Sequence, residues 1–155
     1  MEFTAERWGA LDNHFRSSVR GQVRDVQTIA QSCTVRASRE LRSAALRVLS
    51  GRRSGRTYRV PYTQANYRAS APGEAPAART GTLMKSWNTF DRFFGIVDRG
   101  RSTVGRYSSG IQTNVPYAEL LENGTSRMAA RPFRERIIRQ ASPRIGDIFR
   151  SAGFR

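Results

Sequence analysis

Apolar or small residues recur at steps of three and four along the first fifty residues. The positions are Leu11, Phe15, Val19, Val23, Val26, Ala30, Cys33, Ala37, Leu41, Ala44 and Val48. This spacing predicts a helix or helix pair with one apolar stripe and a polar face rich in arginine. Because one helix of nearly fifty residues would be long for a small domain, we expect a bend or division at Gly21 or at Thr34 and Val35.

Residues 51–81 follow a different pattern, in which glycine and proline recur too often for a helix. The segment holds Pro61, Pro72 and Pro76 together with Tyr58, Tyr62 and Tyr67. Residues 57–60 and 66–69 are suited to short extended arms. A loop of this length in a small domain is usually functional or disordered, so we expect the tyrosines to order it against its own domain or a neighbour.

Beyond residue 81 the pattern predicts two strands, a short helix and a C-terminal helix. Residues 90–98 and 109–115 are strand candidates, and in the second Ile111, Thr113 and Val115 alternate with polar residues. A short helix is expected to begin at Pro116 and to end at Asn123 and Gly124, a pair that tolerates positive φ. A second apolar stripe predicts a C-terminal helix that Pro143 should break or kink; it consists of Phe133, Ile137, Ala141, Ile145, Ile148 and Ala152.

The order of elements predicts a single α+β domain over residues 1–155. It would comprise N-terminal helices (1–50), a long Pro/Gly/Tyr-rich loop or arm (51–81), a small, mostly antiparallel sheet with a short helix (82–126), and a C-terminal helix with a basic tail (127–155). The apolar runs are only a few residues long, so no membrane-spanning segment is expected.

The charge is strongly positive. The formal net charge is +15, from 27 basic and 12 acidic residues, and every basic residue except Lys85 is arginine. The excess lies in residues 51–80 and 127–155. A GC-rich coding sequence would produce the same bias toward arginine, but arginine is also suited to bidentate pairing with phosphates and carboxylates. The charge therefore leaves two partners open, nucleic acid and an acidic protein surface.

The sequence contains no convincing active site. His14 stands without a cysteine or acidic cluster, and residues 51–57 lack the spacing and the lysine of a phosphate-binding loop. Glu119 and Glu122 form a pair that any helix supplies by chance. A single cysteine, Cys33, excludes an internal disulfide and a cysteine-based zinc site. We expect no enzymatic activity, no metal and no cofactor.

Five short motifs occur in a fixed order between residues 67 and 133. They read YRASAPGEAP (67–76), RTGTL (79–83), NVPYA (114–118), LENGT (121–125) and MAARPF (128–133). This series resembles the neck or tail-completion family of tailed bacteriophages, the head–tail joining proteins of the lambdoid-coliphage tail-component type. One departure is Asn123, where the family usually has an aromatic residue. The N-terminal helical half fits the family by pattern only.

The resemblance implies a small α+β protein without enzymatic activity that forms a ring where the phage head joins the tail. A hexamer is favoured because phage tails are sixfold, and a dodecamer would follow from a position next to the portal. Expected neighbours are head-completion or adaptor rings, and tail-terminator or tail-tube rings, with double-stranded DNA passing close by. Such a protein is part of the virion and is assembled in the host cytoplasm. The alternative is a small basic nucleic-acid-binding protein.

Two sets of residues are expected to carry this role. The first would dock on neighbouring subunits, since aromatic residues are enriched at interface hot spots; it comprises Tyr58, Tyr62, Tyr67, Pro72, Gly73, Glu74 and Pro76. The second would maintain the fold; it comprises Thr80, Gly81, Leu83, Pro116, Tyr117, Glu122, Gly124, Thr125, Arg131, Pro132 and Phe133.

Several members of the second set have a predicted local role. Gly81 would turn the loop sharply, and Thr80 or Thr82 would cap a short helix. Tyr117 would bury its ring and donate its hydroxyl to a backbone group.

Further roles are predicted around the start of the C-terminal helix. Glu122 would accept from the amides two and three residues later, or pair with Arg127 or Arg131. Pro132 would take the first helical position and Phe133 would lie in the core.

Overall fold

The computed structural model describes residues 5–96 and 104–154, with a helix at each end and antiparallel strands between them. The elements are α1 (Ala5–Ser50), β1 (Thr57–Arg59), β2 (Asn66–Arg68), α2 (Thr82–Lys85), β3 (Asn88–Ile96), β4 (Val104–Gln112), α3 (Ala118–Asn123) and α4 (Arg134–Ser151). The predicted α+β class is confirmed. The end of the strand predicted at 90–98 lies outside the described residues, and β4 ends before Thr113 and Val115, which were expected to belong to it.

Helix α1 is one continuous helix of 46 residues. At 1.5 Å per residue it is ~69 Å long. The expected division is wrong, because the helix passes through Gly21 and through Thr34 and Val35 without interruption. A glycine in a helix costs only about 1 kcal/mol, and β-branched residues keep one helical rotamer, so neither feature has to end the helix.

The core lies between the C-terminal half of α1 and α4. It consists of Ala44, Ala45, Leu49, Ala75, Leu83, Trp87, Ala118, Phe133, Ile137 and Ala141. Two contacts show that the helices run antiparallel. The Cys33 thiol lies 3.9 Å from the carbonyl oxygen of Ile148, and Arg144 pairs with Glu40 at 3.4 Å. Alanines on both helices allow this close approach.

Strands β3 and β4 form the larger antiparallel pair, with a register that runs from Asn88 opposite Gln112 to Ile96 opposite Val104. The pair packs across α1, and the Ser109 hydroxyl donates a hydrogen bond to the Thr34 carbonyl. The antiparallel arrangement expected for the sheet is confirmed.

Strands β1 and β2 form a separate small hairpin inside the predicted loop. Tyr58 lies opposite Tyr67, and their rings stack with centroids 5.9 Å apart. The two expected extended arms are therefore confirmed as one hairpin. Its strands make their main contacts with each other, whereas a two-stranded hairpin alone is only marginally stable in water. We call residues 56–69 the tyrosine hairpin.

Helix α4 continues through Pro143, so the predicted break is wrong. Proline removes one backbone donor, but Pro143 is exposed, and the carbonyl left without its partner can bind water. The helix ends at Ser151, and Gly153 follows with φ +86°. No helix in the described part of the chain is long and apolar enough to cross a membrane.

Candidate functional site

The motif at residues 70–76 forms a tight turn that is fixed to the chain just after α1. The Glu74 amide donates to the Ala71 carbonyl at 3.1 Å, and Gly73 has φ +77°. Proline followed by glycine at the two central positions is typical of a type II turn. The Glu74 carboxylate accepts from the Ser54 hydroxyl at 2.6 Å, from the Ser54 amide at 3.1 Å and from the Ala71 amide at 2.9 Å.

These hydrogen bonds perturb the ionisation of Glu74. The Ser54 hydroxyl, followed by the amides of Ala71 and Ser54, lowers the pKa of Glu74 to about 2. Burial lowers the pKa of the neighbouring Arg53, and the Glu74 carboxylate opposes that shift. Arg53 donates to the carbonyls of Pro76 at 3.0 Å and Val48 at 2.8 Å, so it joins the turn to the last carbonyls of α1.

We predict that acid weakens the fold through Glu74. Because its pKa falls from 4.5 in the unfolded chain to about 2 in the fold, the stabilisation is complete above pH 4.5 and is lost as the pH falls toward 2. Denaturant midpoints across this range should therefore fall less steeply with acid in Glu74→Gln than in the parent chain. The control is Glu119→Gln, since the carboxylate of Glu119 makes no hydrogen bond or ion pair with any described residue. An identical acid response of Glu74→Gln and the parent would contradict the prediction.

The other side of the turn is fixed to the segment that precedes α4 and to α4 itself. The Arg131 guanidinium donates to the Ser70 carbonyl and hydroxyl, and Arg136 donates to the Gly73 carbonyl at 2.8 Å. Within the single chain, Pro76 is buried and Glu74 is partly exposed, whereas Pro72 and Gly73 are exposed. Docking of this turn on a neighbour remains a prediction that only its exposed residues could carry.

Glu122 caps α4. Its carboxylate accepts from the Phe133 amide at 3.0 Å and the Arg134 amide at 3.3 Å. The predicted partners of Glu122 were the amides two and three residues later, or else Arg127 or Arg131. That prediction is wrong, because the carboxylate binds the amides at the start of α4 instead. The reason is that the free amides at a helix N-terminus, with the positive end of the helix dipole, attract a carboxylate that reaches them.

The start of α4 differs from expectation in one respect. Pro132 lies two residues before the first residue of α4, so its predicted place at the first helical position is wrong. Phe133 is 1% exposed, which confirms its place in the core. Gly124 has φ +77°, as expected for the end of α3. The Thr125 amide donates to the Met128 carbonyl at 2.8 Å and closes the turn that follows.

The expectations around α2 and α3 are partly met. Gly81 makes the predicted turn, with φ +74°, and itself occupies the N-cap position of α2, where no side chain caps the helix. Of the two expected capping residues, Thr80 accepts a hydrogen bond from the Thr82 amide at 3.4 Å, from the position before the N-cap, whereas the expected capping by Thr82 is wrong because Thr82 is the first residue of the helix. Leu83 is buried. Tyr117 is 42% exposed, so its predicted burial is also wrong.

Two of the motifs meet at one groove. Residues 80–84 lie opposite Leu121 of α3 and Tyr117, the residue before α3. Together with Leu49 and residues 76–79 they line a cavity of about 390 Å³. We call this the end groove, because Leu49 lies in the last turn of α1. Leu120, also on α3, is 53% exposed. Pro116 is exposed and lies two residues before α3, so the predicted start of this helix at Pro116 is wrong.

The tip of the tyrosine hairpin presents a bulky aromatic residue. Tyr62 is fully exposed and has φ +63°, a region that large residues rarely adopt. The Thr63 amide donates to the Val60 carbonyl at 3.2 Å, which closes the turn. Arg59 lies next to the tip, whereas Arg56 and Arg68 lie at the base of the hairpin. The sequence holds no acidic residue between positions 41 and 73.

Five large apolar side chains in the N-terminal part of α1 are exposed. Phe15, Val19, Val23, Val26 and Ile29, which we call the α1 stripe, are between 40% and 69% exposed. The stripe continues into Cys33 and Ala37, which are buried. Helix α4 covers this second part and ends near Cys33. The sequence pattern indicated the stripe, but not that half of it would be uncovered.

His14 is exposed on α1, and Glu122 is engaged with the backbone of α4. Within residues 5–96 and 104–154, no group of three or more histidine, cysteine, aspartate or glutamate residues could hold a metal ion.

Similarity to known proteins does not indicate the function. Comparison with protein-family models, with curated proteins and with solved structures found no match. The function therefore has to be inferred from the α1 stripe, the end groove and the tyrosine hairpin.

Proposed function

We propose that this chain is a structural subunit of a phage virion that forms a ring at the neck and joins the DNA-filled head to the tail. The observation that carries the proposal is the uncovered α1 stripe. Soluble monomers rarely expose contiguous apolar patches of large area, and such patches mark protein contacts. Because binding stabilises the state that binds, assembly would stabilise a subunit whose own core covers only half of its longest helix.

Two further observations support this function. The five motifs resemble, in their order, those of the neck family, and in this fold their polar residues fix the turn at 70–76 and the start of α4. The tyrosine hairpin supplies an arm with Tyr58, Tyr62 and Tyr67, which would contact the next subunit or an adjoining ring. In a cyclic ring each subunit meets its neighbours through two different patches. Six copies are favoured, and twelve would suit a position next to the portal.

A nucleic-acid-binding protein is the second candidate, and the charge of the tyrosine hairpin favours it. Arg56 and Arg68 make no ion pair with any described residue, and no acidic residue of the hairpin opposes them. Binding through phosphates falls steeply with added salt, whereas a ring held by apolar contacts is insensitive to it. Salt titration of DNA binding and of assembly separates the two functions.

The proposed function is tested by complementing a phage that carries an early stop codon in this gene. Val26→Glu should reduce infectious particles roughly 100-fold or more, because it places an unpaired carboxylate in an apolar contact. Thr28→Glu is the matched control: it makes the same charge change at an exposed β-branched residue on the other face of α1, and it should complement normally. In lysates of the stop-codon phage supplied with Val26→Glu, electron microscopy should show DNA-filled heads beside separate tails.

The stop codon alone provides the decisive contrary result. Normal joined particles without the protein would refute a neck role and place the nucleic-acid-binding function first. Because Val26 is exposed, Val26→Glu should keep the parent's circular dichroism spectrum and unfolding midpoint. A loss of infectivity with a normal fold is then a loss of assembly.

A further inference from the structure

The tyrosine hairpin has two faces of different chemistry. Side chains alternate between the faces along a strand, and residues directly opposite each other in paired strands share a face. Tyr58 lies opposite Tyr67, so the stacked rings occupy one face. The other face carries the four remaining strand residues, which pair with each other. We call it the polar face, and it consists of Thr57, Arg59, Asn66 and Arg68.

The polar face is uncovered in the part of the chain that the structure describes. All four of its residues are exposed, whereas Tyr67 on the other face is half-buried. The Arg59 guanidinium donates to the Thr63 carbonyl at 3.1 Å and to Gln64 Oε1, and these neutral acceptors leave its charge unbalanced. The Arg68 side chain makes no hydrogen bond or ion pair with any described residue. The two arginines stand diagonally across the strand pair, about 7–8 Å apart, so both can meet one extended ligand.

No acidic group of the hairpin balances these cations. The sequence holds no acidic residue between positions 41 and 73. The next carboxylate, Glu74, accepts hydrogen bonds from the Ser54 hydroxyl and the Ala71 amide. Arg56, at the base of the hairpin, adds a third cation that makes no ion pair with a described residue. The hairpin therefore carries a local positive potential that attracts a polyanion.

The form of the polar face favours double-stranded DNA among polyanions. A two-stranded β-ribbon fits the width of the major groove, and arginine, asparagine and threonine are residue types that contact phosphates and base edges there. Single-stranded nucleic acid is held instead by rings on which successive bases stack. The polar face carries no ring, because Tyr58 and Tyr67 stack on each other on the opposite face.

We propose that the polar face of the tyrosine hairpin binds double-stranded DNA, with Arg59 and Arg68 on backbone phosphates. Tyr58, on the opposite face, stays available for a contact with protein. Phosphate contacts carry no sequence information and let a protein slide along DNA, which suits a duplex that moves past its binding site. This inference goes beyond the neck role and does not require it, because a free basic protein would use the same face.

The proposal is tested by measuring how tightly the full chain binds a fluorescent DNA duplex at several salt concentrations. Arg59→Gln/Arg68→Gln should lower the affinity roughly tenfold or more at low salt. It should also reduce the slope of log affinity against log salt by about 2, because each phosphate contact contributes ~0.9. The matched control is Arg20→Gln/Arg24→Gln, which removes the same charge from exposed positions of α1 and should keep the parent's slope.

A second variant separates charge from the shape of the hairpin. Arg59→Lys/Arg68→Lys keeps both charges but changes the hydrogen bonds that Arg59 makes in the turn. Because a lysine also releases a counterion when it meets a phosphate, this variant should keep the parent's salt slope. A slope as low as that of the glutamine variant would contradict the assigned phosphate contacts.

Three further results would overturn the proposal. Equal losses of slope in the hairpin variant and the α1 control would show that only net charge matters. Single-stranded DNA bound as tightly as the duplex would indicate stacking instead of phosphate contacts on the polar face. Polyglutamate that displaces the duplex at equal charge concentration would indicate an acidic protein as the partner. The neck role is judged separately by the stop-codon phage, and neither of its outcomes changes this test.

Discussion

Phe133→Ala is expected to lower the free energy of unfolding by about 3–5 kcal/mol, the usual cost of truncating a buried phenylalanine. The Phe133 ring is 1% exposed and meets the Trp87 ring edge-on, with centroids 6.0 Å apart. It lies at the N-terminal end of α4, beside the α1 surface that α4 covers, so its removal leaves a cavity where the segments of the core meet. Urea unfolding followed by circular dichroism measures the loss.

The control for Phe133→Ala is Ile138→Ala, on the first turns of the same helix. Ile138 is 58% exposed, so its truncation should cost less than about 1 kcal/mol. A similar loss for the two variants would show that the stability of α4 does not depend on the Phe133 contact with Trp87. That result would contradict the core described for this fold.

Gly124→Ala is expected to destabilise the protein by about 3 kcal/mol, through a combination of backbone strain and a clash. Gly124 has φ +77°, and an added Cβ would lie 2.7 Å from the Ala130 nitrogen and 2.8 Å from the Met128 oxygen. Both are backbone atoms, so neither can turn aside. Relief of the clash would displace the chain just after Glu122 and weaken its hydrogen bonds to the start of α4.

Gly73→Ala separates these two causes. Gly73 has the same φ of +77°, but an added Cβ would meet nothing within 4 Å. Its expected cost is therefore the left-handed conformation alone, about 1 kcal/mol. Unfolding midpoints of the two variants give the comparison. Equal losses would contradict the role assigned to the close approach of Ala130 and Met128.

Local patterns predicted most of the elements. Periodicity indicated the helices at each end, and Gly81 and Gly124 were identified at turns because glycine adopts positive φ without strain. The strand boundaries were less accurate, since Thr113 and Val115 alternate with polar residues as a strand does but lie beyond β4. An alternating pattern shows which residues face the core, not where pairing with another strand ends.

Contacts distant in sequence could not be predicted in the same way. Glu122 binds amides eleven and twelve residues later, and nothing in its local sequence distinguishes these from nearer donors. The exposure of the α1 stripe depends on the relative lengths of two helices that lie far apart in the sequence. Helix α4 has 18 residues and α1 has 46, so α4 covers less than half of α1. Sequence periodicity marks an apolar face but does not reveal what covers it.

The unbroken length of α1 has a geometric consequence for the proposed ring. The exposed α1 stripe and the core residue Leu49 stand on one continuous helix, with a rise of ~45 Å from Val19 to Leu49. Since no loop intervenes, a neighbour that packs on the stripe is held at a distance from this core that is specified by residue number. Inserting two helical turns between residues 29 and 33 would move that neighbour ~11 Å away from the core without altering the stripe itself.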